Sequence, residues 1–116
     1  MLRFNIPIRL VSLANVRMHW AFKAKKAKEQ RFTGHEFCKW ALMEDGGKPW
    51  WNPPWKIKIT RIGKRKMDSD NLAISAKHVR DGIADALGVN DGDESKVLWF
   101  YEQKIGKEYS VEIEIS

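Results

Sequence analysis

Two aspartates separated by a single residue are the sharpest chemical feature of this sequence. Asp68 and Asp70 lie in the segment Met67-Asp68-Ser69-Asp70-Asn71, where a strand-like pattern gives way to a helix-like one. If the backbone is still extended there, residues i and i+2 project to the same side, and the two carboxylates share one small volume. Carboxylates that close repel each other unless a cation joins them. A set of oxygen ligands favours Mg²⁺, with Mn²⁺ possible, over zinc.

A second acidic pair follows further along the chain. Asp91 and Asp93 come directly after the helix that Asp68 and Asp70 precede. We expect the chain to return there towards the sheet edge that carries Asp68, so that the two acidic segments share one ion. The alternative for the first pair is a helix cap, supplied by Asp70 or Ser69, beside a solvated aspartate.

Basic side chains are predicted to lie next to these carboxylates. Lys77 stands two turns along the helical stripe that begins at Asp70, where it would neutralise charge on a phosphate. Its alternative is a solvated lysine paired with Asp81 at i,i+4 spacing. The basic run at residues 64–66 leads straight into Asp68. Charge that attracts phosphate next to charge that attracts metal is the combination that phosphodiester hydrolysis needs.

Charge is unevenly divided along the 116 residues. Residues 1–66 contain 16 Lys and Arg against 4 Asp and Glu, a balance of +12, while residues 67–116 contain 5 against 11, a balance of −6. The basic half predicts a polyanion partner. No run of 18 apolar residues occurs, and the single cysteine, Cys38, cannot form an internal disulfide. We therefore expect a cytoplasmic protein that does not span a membrane.

The first half of the chain predicts a strand and a short helix. Alternating apolar residues over 3–10 indicate a strand, and Pro7 predicts that it is an edge strand or has its proline on the unpaired side. Residues 15–32 are polar and basic and are expected to form a loop or an irregular surface helix. Thr33 and Glu36 fit a capping box at the start of a helix that ends at Gly46-Gly47. The side chains expected to be buried by that helix are Phe37, Trp40, Ala41 and Met43.

The second half predicts the elements around the acidic segments. Alternation from Trp55 to Thr60 indicates a second strand, and apolar residues spaced by three and four indicate a helix over 71–87 that Gly88 ends. Segments 97–104 and 108–115 are expected to pair as a hairpin whose second strand turns Tyr109, Val111, Ile113 and Ile115 towards the core. Residues 1–116 thus predict a single small α+β domain, with a mixed four-stranded sheet and about two helices.

The order of these motifs resembles the RusA family of Holliday junction resolvases. The family carries an Asp-x-Asp-Asn-Leu motif, a lysine four residues before an aspartate on the following helix, a later Asp-Asp turn, and a polar Ser-x-Asn segment after the first strand, and this chain has similar features. In this chain they are Asp68 to Leu72, Lys77, Asp81, Asp91-Gly92-Asp93 and Ser12 to Asn15. The resemblance covers residues 12 to about 104.

The resemblance implies a RusA-like, homodimeric, Mg²⁺-dependent endonuclease that nicks four-way DNA junctions symmetrically in a bacterial or phage-infected cell. Asp68, Asp70 and Asp91 would bind the metal, Asp93 being the alternative to Asp91, and Lys77 would be the catalytic-site lysine. The residues expected to contact DNA are Asn15, Arg17, Lys23, Lys25, Lys26, Lys28, Lys64, Arg65 and Lys66. The alternative function is a non-catalytic protein that binds branched or single-stranded DNA.

Overall fold

The computed structural model describes residues 1–10, 19–44 and 46–116, which form two helices and four strands. In chain order they are β1 (Leu2–Ile6), α1 (Trp20–Glu44), β2 (Trp55–Gly63), α2 (Ser69–Leu87), β3 (Val97–Ile105) and β4 (Ser110–Ile115). The strands form one mixed sheet in the order β1-β4-β2-β3. The α+β class predicted from the sequence is confirmed.

The last two strands do not form the expected hairpin. β2 lies between them, pairing in parallel with β3 and antiparallel with β4. The short connection after β3 instead crosses the end of β2, where Gly106 N–H donates to the Gly63 carbonyl over 2.9 Å. Each strand alternates correctly in the sequence, but alternation does not specify which strands are neighbours. The hairpin prediction was therefore wrong in its pairing and right in the face that β4 buries.

One face of the sheet carries both helices, and the other is open. On the helix face, β2 and β4 bury Ile57, Ile59, Val111 and Ile113 against the helices. β1 pairs only with β4 and forms one edge, as predicted. It ends at Ile6 and not at residue 10 as expected, because the next residue is a proline and has no N–H for the ladder.

The helix α1 differs most from its prediction. It runs as a regular helix from Trp20, so the expected loop or irregular helix was wrong for residues 20–32. Thr33 lies inside it, and its hydroxyl donates to the Glu29 carbonyl over 2.8 Å instead of capping a new helix. The glycines at 46 and 47, with φ of 88° and 97°, follow its end as expected.

Contact with α2 decides which side of α1 is buried. Gly34, Cys38 and Leu42 are buried, whereas Trp40 and Met43 are 63% and 64% exposed, contrary to expectation. The prediction was made for a short helix that starts near Thr33. The observed α1 is long, and it meets α2 where glycines allow close approach. A Cβ at Gly34 would lie 2.8 Å from the Val79 carbonyl oxygen. Burial raises the pKa of Cys38 to about 12, so this thiol stays protonated.

The helix α2 matches its prediction closely. It buries the expected stripe of Leu72, Ala76, Val79, Ile83 and Leu87, and Gly88 ends it in the left-handed conformation at φ 72°. A Cβ at Gly82 would lie 2.1 Å from the Arg31 carbonyl oxygen of α1. Because Arg31 faces Gly82 and Gly34 faces Val79, the two helices are antiparallel. The amino end of α1 therefore lies near the carboxyl end of α2.

Candidate functional site: two acidic ends of one helix

Asp68 and Asp70 lie at the amino end of α2, directly after the loop that connects β2 to this helix. Asp68 occupies the cap position with extended backbone angles, φ −60° and ψ 148°, but its side chain makes no capping hydrogen bond. Ser69 and Asp70 are already helical, so neither is the cap that the sequence suggested. The strand alternation that would align the two aspartates thus ends at Asp68. Both side chains are exposed, and neither has an ion-pair partner among the described residues.

The loop that delivers these aspartates is fixed by side chains from two strands. Gln103 of β3 forms two hydrogen bonds with the backbone of Met67, accepting from its N–H at 2.9 Å and donating to its carbonyl at 2.8 Å. Arg61 of β2 donates from Nη1 to the Arg65 carbonyl over 2.8 Å. The backbone of Met67, directly before Asp68, is therefore fixed to β3 by two hydrogen bonds.

Arg61 was missed by the sequence interpretation. It is only 6% exposed, and its Nε has no hydrogen-bond partner among the described residues. A signal for it existed, because the period-two pattern of β2 puts residue 61 on the same side as Ile57 and Ile59. An arginine on the buried side of a strand indicates a side chain that structures the adjacent loop.

The opposite end of α2 holds Asp91 in a cluster around Arg80. Arg80 donates from Nε to Oδ2 of Asp91 over 3.0 Å, from Nη2 to the Asp91 carbonyl over 3.1 Å, and from Nη1 to the Tyr101 hydroxyl over 2.9 Å. Its guanidinium also lies 4.9 Å from the ring centroid of Trp99, whose Nε1–H donates to the Asp91 carbonyl over 2.8 Å. The position of Asp91 is thus set by two side chains, Arg80 and Trp99, neither of which the motif suggested.

The other aspartate of the acidic turn has a local role. Oδ1 of Asp93 accepts hydrogen bonds from the Ser95 N–H at 3.0 Å and from the Ser95 hydroxyl at 2.6 Å. These hydrogen bonds lower the pKa of Asp93. Asp93 therefore stabilises its own turn, and of the two candidates for the downstream ligand, Asp91 is the one whose carboxylate is positioned by the tertiary structure.

Two further aspartates of α2 are engaged by basic side chains. Lys77 Nζ lies 3.3 Å from Oδ2 of Asp81, which is the i,i+4 pair considered as the alternative for this lysine. Arg31 of α1 binds both carboxylate oxygens of Asp85, at 2.7 and 3.0 Å. Hydrogen bonding to Arg31 lowers the pKa of Asp85.

The two acidic segments lie at opposite ends of a helix of 19 residues, which is about 28 Å long. Among the described residues no group of three or more His, Cys, Asp or Glu is arranged to hold a metal ion. The expectation that the chain after α2 returns to Asp68 was wrong, because β3 starts at the far end of the sheet and runs parallel to β2. The donor chemistry at Asp68 and Asp70 fits a hard cation, but one chain brings only this pair to the amino end of α2.

The basic residues predicted to contact DNA are also divided between the two ends. Lys64, Arg65 and Lys66 are exposed beside Asp68. Lys23, Lys25, Lys26 and Lys28 lie in the first turns of α1, which the antiparallel helix pair places towards the carboxyl end of α2. Asn15 and Arg17 lie outside the described residues.

Comparison of the chain with protein-family models, with curated proteins and with solved structures finds no significant match. Within the described ranges, neither helix combines the length and the apolar character needed to cross a membrane.

Proposed function

We propose that this protein is a Mg²⁺-dependent, structure-selective DNA endonuclease that resolves four-way junctions, as the resemblance to the RusA family implies. The observation that carries the proposal is the pair of exposed carboxylates, Asp68 and Asp70, directly after the exposed basic run 64–66. Neither carboxylate has an ion-pair partner among the described residues, so both are available to a ligand.

The basic run would hold the DNA backbone at this end of α2. Lysine and arginine contacts to phosphate fix position without reading sequence, which suits an enzyme selective for structure. Asp68 and Asp70 would hold Mg²⁺ through their oxygens, with Asp91 of a second chain as the third carboxylate, because Asp91 of the same chain lies at the far end of α2. When bound, Mg²⁺ activates water and stabilises the negative charge that develops on the phosphate. Resolution needs two matched nicks, so the enzyme would be a two-fold homodimer in the cytoplasm of a bacterial or phage-infected cell.

Lys77 is the least supported member of the proposed site. It lies seven residues beyond Asp70, about 10 Å along the helix axis, and its ammonium contacts Asp81. Its side chain is 65% exposed, so it is free to exchange that contact for a phosphate. A catalytic role for Lys77 therefore requires a change of partner when DNA binds.

The test is cleavage of a labelled four-way junction by purified protein with Mg²⁺. We expect paired nicks from the wild type and none from Asp70→Asn, whereas Asp85→Asn, which removes a carboxylate from the same helix, should retain cleavage. Absence of nicking by the wild type, or undiminished nicking by Asp70→Asn, would sink the proposal.

The second candidate is a protein that binds branched or single-stranded DNA without cutting it. The absence of a three-carboxylate group within the described part of one chain favours it. Such a binder retains its affinity for junctions in EDTA and shows no stabilisation by Mg²⁺ or Mn²⁺. Both candidates predict binding that weakens steeply with salt, so metal-linked stabilisation is the measurement that separates them.

A further inference from the structure

We propose that the free edge of β3 pairs antiparallel with the same edge of a second copy of this chain, centred on Tyr101. β3 is nine residues long and, among residues 1–10, 19–44 and 46–116, has a strand neighbour, β2, on one side only. A strand with one unpaired edge presents a row of N–H and C=O groups that a second chain can complete. An isologous two-fold contact of this kind is the commonest way in which identical chains associate.

The hydrogen bonds of β3 show which backbone groups point outwards. Lys96 O accepts from Trp55 N–H before the strand, and Gly106 N–H donates to Gly63 O after it, so the even-numbered residues face β2. The odd-numbered residues face the free edge. Of these, Val97 already donates its N–H to Asp93 over 3.0 Å. Trp99, Tyr101, Gln103 and Ile105 remain with their backbone groups directed at the edge.

The side chains along this edge leave room for another strand. A groove of about 350 Å³ runs beside its first half and is lined by residues from both faces of β3, Leu98 and Phe100 on the open face and Trp99 and Tyr101 on the helix face. Phe100 on the open face and Ile105 on the helix face are 47% and 60% exposed. An occupant that extends the sheet would cover both.

Charge selects an antiparallel second copy as that occupant. The chain that leads into β3 carries Asp91, Asp93 and Glu94 against Lys96, whereas the end of β3 carries Lys104 and Lys107 against Glu108 and lies beside the basic run 64–66. Antiparallel pairing places each acidic end next to the basic end of the other copy. A parallel arrangement would place like charges together.

The register centred on Tyr101 places Trp99 opposite Gln103 of the second copy, with Cα atoms about 5.5 Å apart. Both side chains lie on the helix face, because a two-fold axis perpendicular to the sheet keeps that face on the same side. Trp99 contacts Asp91, and Gln103 holds Met67, the residue before Asp68. The pairing therefore brings Asp91 of each copy to the level of Asp68 and Asp70 of the other. The role of these carboxylates rests on the proposed function, whereas the pairing of the edges does not.

A matched pair of substitutions tests the pairing. In this register Phe100 lies opposite Glu102 of the second copy, in the closer type of antiparallel pair. Phe100→Glu opposes like charges twice across the two-fold axis, while Phe100→Lys opposes unlike charges. Within one chain residue 100 neighbours Lys58, so Phe100→Glu is compatible with folding. Sedimentation equilibrium should show a dimer dissociation constant raised at least about tenfold for Phe100→Glu and changed less than about threefold for Phe100→Lys.

Ile105→Pro gives an independent test, because it removes an outward N–H and none of the bonds to β2. We expect it to weaken the dimer as well. Phe32→Glu changes an exposed ring on α1, an element that the edge pairing does not use. It is the control variant and should leave the dimer intact. A wild type that stays monomeric, or a dimer lost in Phe32→Glu and kept in Phe100→Glu, would overturn the edge pairing.

Mixing two inactive chains tests the convergence of the two ends. A dimer of one Asp70→Asn chain with one Asp91→Asn chain retains one complete set of carboxylates. We expect Mn²⁺ to raise the unfolding temperature of the mixture and of neither variant alone. A mixture that behaves as the average of its components contradicts the convergence. If the wild type itself shows no response to Mn²⁺, the proposed function fails, while the sedimentation result still decides the edge pairing.

Discussion

The two ends of α2 use the same residue type in opposite ways. At the amino end, Asp68 and Asp70 are exposed and have no ion-pair partner among the described residues. At the carboxyl end, Asp85, Asp91 and Asp93 are each held by a side chain that the fold or the local turn supplies. A carboxylate whose oxygens are already engaged stabilises the fold, and one whose oxygens are open is available to a ligand. The contrast separates the structural aspartates Asp85 and Asp93 from the candidate functional pair Asp68 and Asp70. Asp91 lies between the two classes, because Arg80 binds its carboxylate through Oδ2 only among the described residues.

The largest expected effect comes from a substitution at the amino end of α2, where Asp68 and Asp70 are exposed. Asp70→Asn should reduce junction nicking at least about 100-fold, because loss of a metal ligand removes on the order of 3 kcal/mol of transition-state stabilisation. Its free energy of unfolding should change by less than about 1 kcal/mol, since Asp70 contributes only a favourable interaction with the helix dipole. Junction cleavage and urea unfolding of the same preparation check both parts. A strongly destabilised Asp70→Asn would remove the contrast between the ends.

A substitution at the carboxyl end of α2, where Arg80 binds Asp91, should lower the stability of the protein. Arg80→Ala removes three hydrogen bonds and the contact with the Trp99 ring, and it leaves Asp91 and Tyr101 without their partner. We expect a loss of about 2 kcal/mol or more in the free energy of unfolding. Lys77→Ala, which breaks an exposed pair on the same helix, should cost less than about 0.5 kcal/mol. Equal losses in the two variants would show that the Arg80 cluster does not anchor this end.

Gln103 of β3 anchors Met67 in the loop before Asp68, so its substitution should have effects of intermediate size on stability and nicking. Gln103→Leu deletes both hydrogen bonds to Met67, so we expect a loss of about 1 kcal/mol in stability and a reduction in nicking of about tenfold as the loop loosens. Gln30→Leu is the matched control, since Oε1 of Gln30 is buried without a hydrogen-bond partner among the described residues. That variant should lose neither activity nor stability. Undiminished nicking by Gln103→Leu would show that the loop needs no such anchor.

The smallest effect is a dependence on pH at Asp85. Arg31 lowers the pKa of this carboxyl below its ordinary value of 3.8, so the ion pair stabilises the protein above pH 3.8 and stops doing so as the pH falls through the lower, folded-state pKa. Wild type should therefore be slightly more stable than Asp85→Asn at pH 7, with the difference vanishing in strong acid. Chemical unfolding of both proteins from pH 7 to about 2.5 measures it. A difference that grows on acidification would contradict the sign.

The candidate site could be predicted from the sequence only where its chemistry is local. The spacing of Asp68 and Asp70, the basic run before them and the helix after them are properties of consecutive residues, and the structure has each of them. The partner of Asp91 could not be predicted, because Arg80 lies eleven residues away and meets it only when α2 packs against β3. Alternation likewise placed the side chains of β4 on the correct face and could not reveal that β2 lies between β3 and β4.

The sequence by itself determined the local structure of most of this protein. Periodicity and glycine positions specify β2, α2, the inward face of β4 and the end of α1, because these depend on backbone sterics and on which side chains avoid water. Only the tertiary structure decided strand order, the length and buried side of α1, and the separation of the two acidic segments. The reason is that these depend on contacts between residues far apart in the chain. The 19 residues of α2 that join Asp70 to the acidic turn in the sequence are what hold them apart in space.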